Sequence, residues 1–308
     1  MHLFTCIIML ILVIYCYAYL CRPHTLRCHI PNVHEVEIGR NHYKDKSLIL
    51  CGLMRDCSQV IPHVQKEVSD MCQLFQKVHV IIVENDSKDN TREELLRWAQ
   101  SSPDVTIEIL GCGLNTPECV LQLCETSTLN GIGQTRIAKM VYLRNLYLKH
   151  IKESPSLRTY DYCAVMDMDL IGDLSTNGLA HTGYVFESDV TIDAVATNGW
   201  AQNFMNMMSF YDFYAYRTAS TLRPFKHLNP FNISVTNDFT GQAYKVDSAF
   251  GGFAIYKTSA LLDKEYLLTK NTVGYVCEHI TLNEKLNMYL DPQFIFAIKH
   301  NTCQNRMI

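Results

Sequence analysis

The chain has 308 residues, which suffices for one large α/β domain or two small ones. Hydrophobic residues make up 48% of the sequence and charged residues 19%, a balance typical of a globular protein that carries an additional apolar segment. The formal net charge of -4 argues against a general nucleic-acid-binding protein, so we expect no nucleic-acid partner.

The N-terminal part of the chain contains an apolar run followed by a mixed segment. Residues 3–20 are uncharged and apolar, and they are close to the shortest stretch that spans a membrane. We therefore predict a single-pass transmembrane signal anchor over residues 1–21, with a cleaved signal peptide as the alternative. Residues 22–46 show no clear periodicity, which indicates a stem or linker.

Two opposing arguments leave the side of the membrane open. Arg22 and Arg27 follow the apolar run and no Lys or Arg precedes it, so the positive-inside rule places the bulk of the chain in the cytosol. A signal anchor of a secretory-pathway enzyme would instead place it in the Golgi or ER lumen, which we favour.

A catalytic domain is predicted over residues 47–308, and its first part alternates between strands and helices. This alternation is typical of an α/β domain whose parallel strands are joined by right-handed crossovers. The predicted strands are residues 47–53, 78–83 and 105–110, and the predicted helices are residues 61–75 and 89–100.

A long loop and a strong helix come next. Residues 111–133 are too long for a plain connection, which indicates a functional or mobile loop. Residues 134–152 have the periodicity of a helix, but Arg144 interrupts its apolar stripe. A buried guanidinium should meet a carboxylate or a phosphate. An Arg that reaches the surface, or that pairs only structurally, is the open alternative.

Two carboxylates follow the next predicted strand, Tyr162–Met166. Asp167 and Asp169 are two residues apart, so an extended backbone would project both side chains the same way. In open α/β sheets, ligands bind just beyond the carboxyl ends of the strands. Paired carboxylates there suit Mg²⁺ or Mn²⁺, whereas a chance occurrence of Asp-x-Asp in a solvated turn is the alternative.

The remaining pattern is less regular. Gly251 and Gly252 interrupt a strand-like run over residues 247–257, which indicates a close approach of the backbone to another group. We also predict a strand over residues 193–198, a helix over residues 278–290 and a last strand over residues 293–299.

These motifs, taken together, resemble those of nucleotide-sugar glycosyltransferases of the GT-A type. More specifically, their order and spacing over residues 47–299 resemble the fungal capsule-associated α-1,3-mannosyltransferase family. The matching pieces are residues 83–91, which include Glu84-Asn85-Asp86-Ser87, residues 136–145, residues 160–169, Phe210-Tyr211-Asp212 with Arg217, Gly251-Gly252 and Glu278-His279.

The resemblance implies a GT-A-like, mostly parallel sheet flanked by helices, and a hexosyltransferase activity. The reaction would move a hexose, with mannose favoured, from a nucleotide-diphosphate sugar to a glycan acceptor. It would depend on Mn²⁺ or Mg²⁺, which neutralises the charge that develops on the leaving diphosphate. GDP-mannose is the favoured donor, and a UDP-sugar is also possible.

The resemblance also implies roles for particular side chains. Asp169 would contact the metal directly, and Asp167 would bind the metal, the ribose or a metal-bound water. His279 would complete the metal shell, although a lone His is more often structural. The other implied residues are Glu84 and Asp86 for the base or ribose, Arg136 or Arg144 for the diphosphate, and Glu278 for the acceptor.

Two other functions compete with this interpretation. A sugar-phosphate nucleotidyltransferase would use a related sheet and metal, but it should carry a Gly-rich basic loop after the first strand, and Gly52-Leu53-Met54-Arg55-Asp56 is a poor candidate. A non-catalytic carbohydrate-binding protein on the same fold is the other alternative, and the presence of Asp167 and Asp169 argues against it.

For Glu84 and Asp86, the alternative to binding the base or ribose is a structural role in a helix-capping turn.

Overall fold

The computed structural model describes residues 8–12, 31–111, 134–202, 208–218, 241–271 and 274–299. The predicted anchor lies outside these ranges except for residues 8–12, and the loop predicted over residues 111–133 lies outside them except for Gly111. In the part of the chain that the structure describes, no helix combines the length and the hydropathy needed to cross a membrane.

Helices flank both faces of a ten-stranded sheet in the described ranges. The strands are β1 Ser47–Met54, β2 Lys77–Glu84, β3 Thr106–Gly111, β4 Tyr162–Met166, β5 Gly172–Leu174, β6 Ala194–Gln202, β7 Met208–Phe210, β8 Tyr244–Val246, β9 Phe253–Lys257 and β10 Met288–Ile298. The helices are α1 Val33–Tyr43, α2 Ile61–Cys72, α3 Thr91–Ser101, α4 Gln134–Glu153, α5 Thr176–Ser188, α6 Thr258–Leu261 and α7 Glu278–Asn283, with 3-10 turns at Ser58–Val60 and Leu157–Thr159.

The sheet is parallel in its first half and mixed in its second half. Its order is β3-β2-β1-β4-β9-β6-β10-β5, with β7 beside β6 and β8 beside β10. Strands β1 to β4 run parallel, as the sequence predicts. Strand β9 then lies antiparallel between β4 and β6, so the prediction of a mostly parallel sheet applies only to the first half.

Two glycines make the reversal into β9 possible. Gly251 and Gly252 have φ values of 64° and 88°, which suit glycine. A Cβ on Gly251 would lie 2.4 Å from the carbonyl oxygen of Thr197 in β6, which confirms the predicted close approach. The strand consequently begins at Phe253 rather than at residue 247.

The core has two parts, one on each face of the sheet. On one face, α1, α2, α3 and α5 contribute residues such as Val64, Trp98 and Phe186. On the other face, α4 packs against β1, β2 and β3, and it buries Leu143, Tyr147, Leu148 and Ile151. The apolar stripe predicted for this helix is therefore buried, with Arg144 in its middle at 2% exposure.

Part of the predicted stem belongs to the packed structure. Helix α1 lies within residues 22–46 and packs against α5, where a Cβ on Gly39 would lie 1.8 Å from the carbonyl oxygen of Ala180. The Tyr43 hydroxyl is 2.7 Å from the Thr182 hydroxyl, and both side chains are fully buried. The segment was expected to be irregular because α1 buries only a narrow stripe, which leaves a weak hydrophobic period.

The helix predicted over residues 278–290 is shorter than expected. Helix α7 ends at Asn283, and the backbone at Lys285 takes a left-handed φ of 67° that no regular helix continues through. Strand β10 therefore starts at Met288 instead of residue 293. The shorter helix lets the buried Asn283 amide donate 3.0 Å to the Ser248 hydroxyl.

Candidate active site

The candidate site lies at the carboxyl ends of β1, β2 and β4, where open α/β sheets bind ligands. Strand β4 ends at Met166, and the next two carboxylates are half-buried. The Asp167 N–H donates 2.9 Å to the carbonyl of Gly252, which fixes the backbone at this edge. Met168 is fully buried and reaches back over Gly52.

Asp167 and Asp169 lie close together, in a turn rather than on the strand itself. Burial, followed by the neighbouring charge of Asp167, raises the pKa of Asp169 to about 7. Among the residues described, no other side chain forms a hydrogen bond or an ion pair with the Asp169 carboxylate. This carboxylate is therefore the one best placed to take a new ligand.

Arg144 reaches from the middle of α4 to two carboxylates. Its Nη2 is 3.2 Å from Oδ1 of Asp167, and its Nε is 3.2 Å from Oε1 of Glu278. The guanidinium also lies 5.5 Å from the ring centroid of Phe250 and 5.8 Å from that of Tyr266. The predicted carboxylate partner is thus present, and the side chain does not reach the surface.

Glu278 and His279 are the first two residues of α7, and Glu278 contacts Arg144. Glu278 is 5% exposed and its Oε1 is already held by Arg144. The His279 ring stacks on Phe250 at 3.8 Å, and neither ring nitrogen has a hydrogen-bond partner among the described atoms. Burial and the charge of Arg144 keep the pKa of His279 well below its usual range, so the imidazole is neutral. A neutral imidazole is the form that binds metals.

The site contains more carboxyl groups than buried guanidinium groups, and burial disfavours the ionised carboxylates. Asp212, at the end of the β6–β7 hairpin, has its pKa raised by burial and then by Asp167 and Glu278. The pKa of Asp167 is also raised, because burial outweighs the effect of Arg144. Several carboxylates therefore surround one guanidinium, an imbalance that a hard divalent cation would offset.

Metal coordination by protein side chains alone is not preformed here. Within the described ranges, no group of three His, Cys, Asp or Glu residues is arranged to hold a metal ion. Mg²⁺-type ions are usually bound through one or two carboxylates together with substrate phosphates. The Asp169 carboxylate, which no other described side chain engages, fits such a shared site. The His279 nitrogens form no hydrogen bond among the described atoms, but Nε2 lies 4.0 Å from Oε1 of Glu278 rather than beside Asp169.

The acids that follow β2 do not join this group. Glu84 is fully buried and accepts hydrogen bonds from the Ser87 N–H at 2.6 Å and from Arg92 Nη2 at 2.6 Å. Asp86 is 56% exposed, with a φ of 52° and a distance of 3.6 Å to Arg92. The Glu84 carboxylate is thus engaged within the turn before α3 and by Arg92, although neither it nor Asp86 caps the helix, whose N-cap residue is Asn90.

A cleft opens between the ends of β1 and β2 and the start of α4. Its enclosed volume is about 50 Å³, so any nucleoside-sized ligand would extend into the open part of the cleft. Arg136, in the first turns of α4, is exposed and near enough to Asp169 to influence its pKa. The lining residues are Leu53, Met54, Arg55, Asn85, Arg136, Lys139, Met140 and Leu143.

A sequence model of the protein family described as "Cryptococcal mannosyltransferase 1" matches residues 47–279. The chain belongs to this family. It is thereby a member of a glycosyltransferase family, as the motifs after β2 and β4 suggest. No curated protein is similar enough in sequence to count as a match.

Solved structures give weaker likenesses. A mannosyltransferase from Pyrobaculum calidifontis in complex with GDP-Man and Mn²⁺ is 14% identical, with a TM-score of 0.47 over 86% of this chain and 59% of that one. S. aureus TarS in complex with UDP-GlcNAc is 13% identical, with a TM-score of 0.45 over 82% and 58%. Glucosyl-3-phosphoglycerate synthase from Mycobacterium tuberculosis is 13% identical, with a TM-score of 0.45 over 90% and 78%. The chain thus spans less than two thirds of the first two, and the family assignment rests on the family match alone.

Sequence reasoning missed several residues of the site in this mannosyltransferase family member. Tyr211 and Asp212 belong to a quoted motif, yet no role follows from the sequence because only the β6–β7 hairpin brings them to Asp167. Arg55 and Asn85 line the cleft in place of Glu84 and Asp86. The signal for these two was their position directly after β1 and β2.

Proposed function

We propose that the chain is a metal-dependent glycosyltransferase that moves a hexose, with mannose favoured, from a nucleotide-diphosphate sugar to a glycan acceptor. The observation that carries the proposal is the Asp169 carboxylate, which no other described side chain pairs with and which lies beside Asp167 at the carboxyl edge of the sheet, where Arg136 is close enough to influence its pKa. Membership of a mannosyltransferase family supports the reaction type. The membrane anchor over residues 1–21 and a Golgi or ER lumenal location belong to the proposal on the strength of the sequence.

The cleft supports a nucleotide-sugar donor. Leu53 and Met140 offer an apolar surface to a base, while Asn85 and Arg55 offer polar groups at its edge. The Nε of Arg55 is buried and makes no hydrogen bond in the described structure. Arg136 would bind the diphosphate, since a guanidinium matches phosphate oxygens in a bidentate way. GDP-mannose is the favoured donor, and a UDP-sugar is the alternative.

The carboxylates would divide the remaining work. Asp169 would bind a divalent cation directly, because its oxygens are not engaged by other described side chains. Asp167 would orient a ribose hydroxyl or a metal-bound water, because one of its oxygens is held by Arg144 and the other by Tyr211. When bound, Mn²⁺ or Mg²⁺ supplies charge neutralisation at the leaving diphosphate. Glu278 would act through Arg144 rather than on the acceptor.

Donor hydrolysis tests this proposal. The rates of GDP-mannose and UDP-sugar hydrolysis are measured in EDTA and again after Mn²⁺ is restored, for the wild type and for Asp169→Asn. We expect activity only with the metal, and a loss of about 10²–10³-fold in the variant, typical of a single electrostatic contact. Asp173→Asn is the matched control, because Asp173 is 65% exposed and Lys299 is its one ion-pair partner in the described part of the chain. Full activity in EDTA, or an Asp169→Asn rate equal to that of the control, would contradict the proposal.

A further inference from the structure

Both carboxylate oxygens of Asp167 are bound by side chains that come from distant parts of the chain. Its Oδ1 faces Nη2 of Arg144 at 3.2 Å, and its Oδ2 accepts a hydrogen bond of 3.0 Å from the Tyr211 hydroxyl. Arg144 comes from α4 and Tyr211 from the end of the β6–β7 hairpin. A carboxylate held at both oxygens has one fixed orientation, and it retains free lone pairs on each oxygen for a ligand.

The backbone around Tyr211 keeps its hydroxyl in place. The Tyr211 N–H donates 2.8 Å to the carbonyl of Gly199 in β6. The next residue, Asp212, takes a left-handed φ of 61°, and its carbonyl and Oδ1 both accept from the Ala215 N–H, at 3.1 and 3.3 Å. These contacts hold the phenol beside Asp167, where its O–H donates to Oδ2.

Arg144 is held just as firmly. It is 2% exposed, lies against the rings of Phe250 and Tyr266, and is tied through Nε to Glu278. Because Arg144 and Tyr211 are both fixed by their own contacts, neither can shift to keep its bond if the Asp167 carboxylate rotates. This fixed grip distinguishes Asp167 from Asp169, which no other described side chain holds.

We propose that Tyr211 is a positioning residue for the metal–donor site, which acts by holding Asp167 in the orientation that Arg144 also requires. The proposal rests on the proposed function above. In this arrangement Asp169 would hold the cation, and Asp167 would present its remaining lone pairs to the ribose or to the hydrated cation. Removing the Tyr211 hydroxyl leaves Oδ2 without its donor and lets the carboxylate rotate about its bond to Cβ.

The effect should appear in metal binding before it appears in turnover. Groups that orient a metal-site carboxylate typically contribute about 10-fold to 100-fold in metal affinity. Tyr211→Phe keeps the ring, which packs against the core on the α1 side of the sheet, and removes only the hydroxyl. Tyr162→Phe is the matched control, because it removes a hydroxyl from β4 that bonds to His42 at 2.7 Å, away from Asp167.

The experiment is a titration of Mn²⁺ into the full-length protein with GDP or UDP present, followed by electron paramagnetic resonance, together with a melting curve for each variant. We expect Tyr211→Phe to bind Mn²⁺ about 10-fold to 100-fold more weakly than wild type, and Tyr162→Phe to bind it equally well whatever its stability. In an Asp167→Ala background, Tyr211→Phe should cause no further loss, because the hydroxyl has no acceptor there.

The outcomes separate this inference from the proposed function. Wild-type Mn²⁺ affinity in Tyr211→Phe overturns the positioning role and leaves the glycosyltransferase proposal standing. A further loss in the Asp167→Ala background, equal to that in the wild-type background, also overturns it, because the hydroxyl would then act elsewhere. A wild-type protein that binds no Mn²⁺ with either nucleotide overturns both proposals.

Discussion

Replacing Arg144 by Met is the sharpest test of how the site is held together. Arg144 is 2% exposed, and its guanidinium contacts Asp167 and Glu278 at 3.2 Å each. Met is apolar and fills much of the same space beside Phe250 and Tyr266. The substitution therefore removes a charge more than it removes packing, and it leaves two mostly buried carboxylates without a cation.

The expected cost follows from the two lost contacts. A hydrogen bond to a charged group contributes about 1.5–3 kcal/mol, and breaking a buried ion pair by removing one partner costs about 3–5 kcal/mol. Asp167 has an exposed fraction of 18% in its side chain, so water offsets part of the loss. We expect Arg144→Met to lower the free energy of unfolding by about 3 kcal/mol near pH 8, a large share of the about 5–15 kcal/mol typical of a domain.

The cost should depend on pH with a defined sign. Burial raises the pKa of Asp167 even with Arg144 present, and loss of the guanidinium raises it further. The native variant then keeps a proton on Asp167 at a pH where the unfolded chain has lost it. A native state that binds more protons than the unfolded state loses stability as pH rises. The variant should therefore be nearer to wild type at about pH 5.5 than at about pH 8.

Urea denaturation followed by circular dichroism at both pH values measures this effect. Lys149→Met is the control, because Lys149 lies on the same helix, is 71% exposed and, among the described residues, makes a single surface pair of 3.8 Å with Glu153. Its cost should stay below about 0.5 kcal/mol at either pH. The reasoning is refuted if Arg144→Met is as mild as the control, or if its cost is the same at the two pH values.

Two further predictions concern the same edge of the sheet. Gly251→Ala should destabilise the fold by more than about 1 kcal/mol. The residue has a φ of 64°, and the new Cβ would lie 2.4 Å from the Thr197 carbonyl oxygen. An unchanged melting temperature would contradict this prediction. The affinity for Mn²⁺ should rise with pH until about 7 and then level off, because the pKa of Asp169 is raised to about 7 and only its charged form binds the ion. Isothermal titration calorimetry at several pH values measures this affinity. A flat profile from about pH 5.5 upward would contradict the prediction.

The sequence predicts those features that depend on local pattern. The apolar strand β4 and the spacing of Asp167 and Asp169 predict where the carboxylates lie. The apolar stripe of α4 left two possibilities for Arg144, burial beside an anion or an exposed or purely structural Arg, and the structure shows it buried beside carboxylates. Which anion Arg144 meets could not be predicted, because Glu278 is 134 residues away and reaches it only through the packing of α7 against α4.

Other contacts could not be predicted, for equally specific reasons. Glu84 and Asp86 follow β2 as a site acid would, but Arg92, in the first turn of the next helix, pairs with the Glu84 carboxylate. A sequence shows that an acid and a base are near each other, but not that their side chains pair. Tyr211 was missed because its partner is distant in sequence: it lies 44 residues from Asp167. The β6–β7 hairpin brings the two together, and no helical or strand periodicity indicates this contact.

The charges of the site distinguish the side chain that is positioned before a ligand binds from the one that lacks a partner. Burial first, and then the charges of neighbouring carboxylates, raise the pKa values of Asp167, Asp169 and Asp212. Arg144 offsets part of this effect permanently, so Asp167 is in place before any ligand arrives. Asp169 has no such partner among the described side chains and bears the remaining imbalance. A cation that enters with the donor phosphates would therefore find its strongest uncompensated attraction at Asp169, beside a carboxylate whose direction is already fixed.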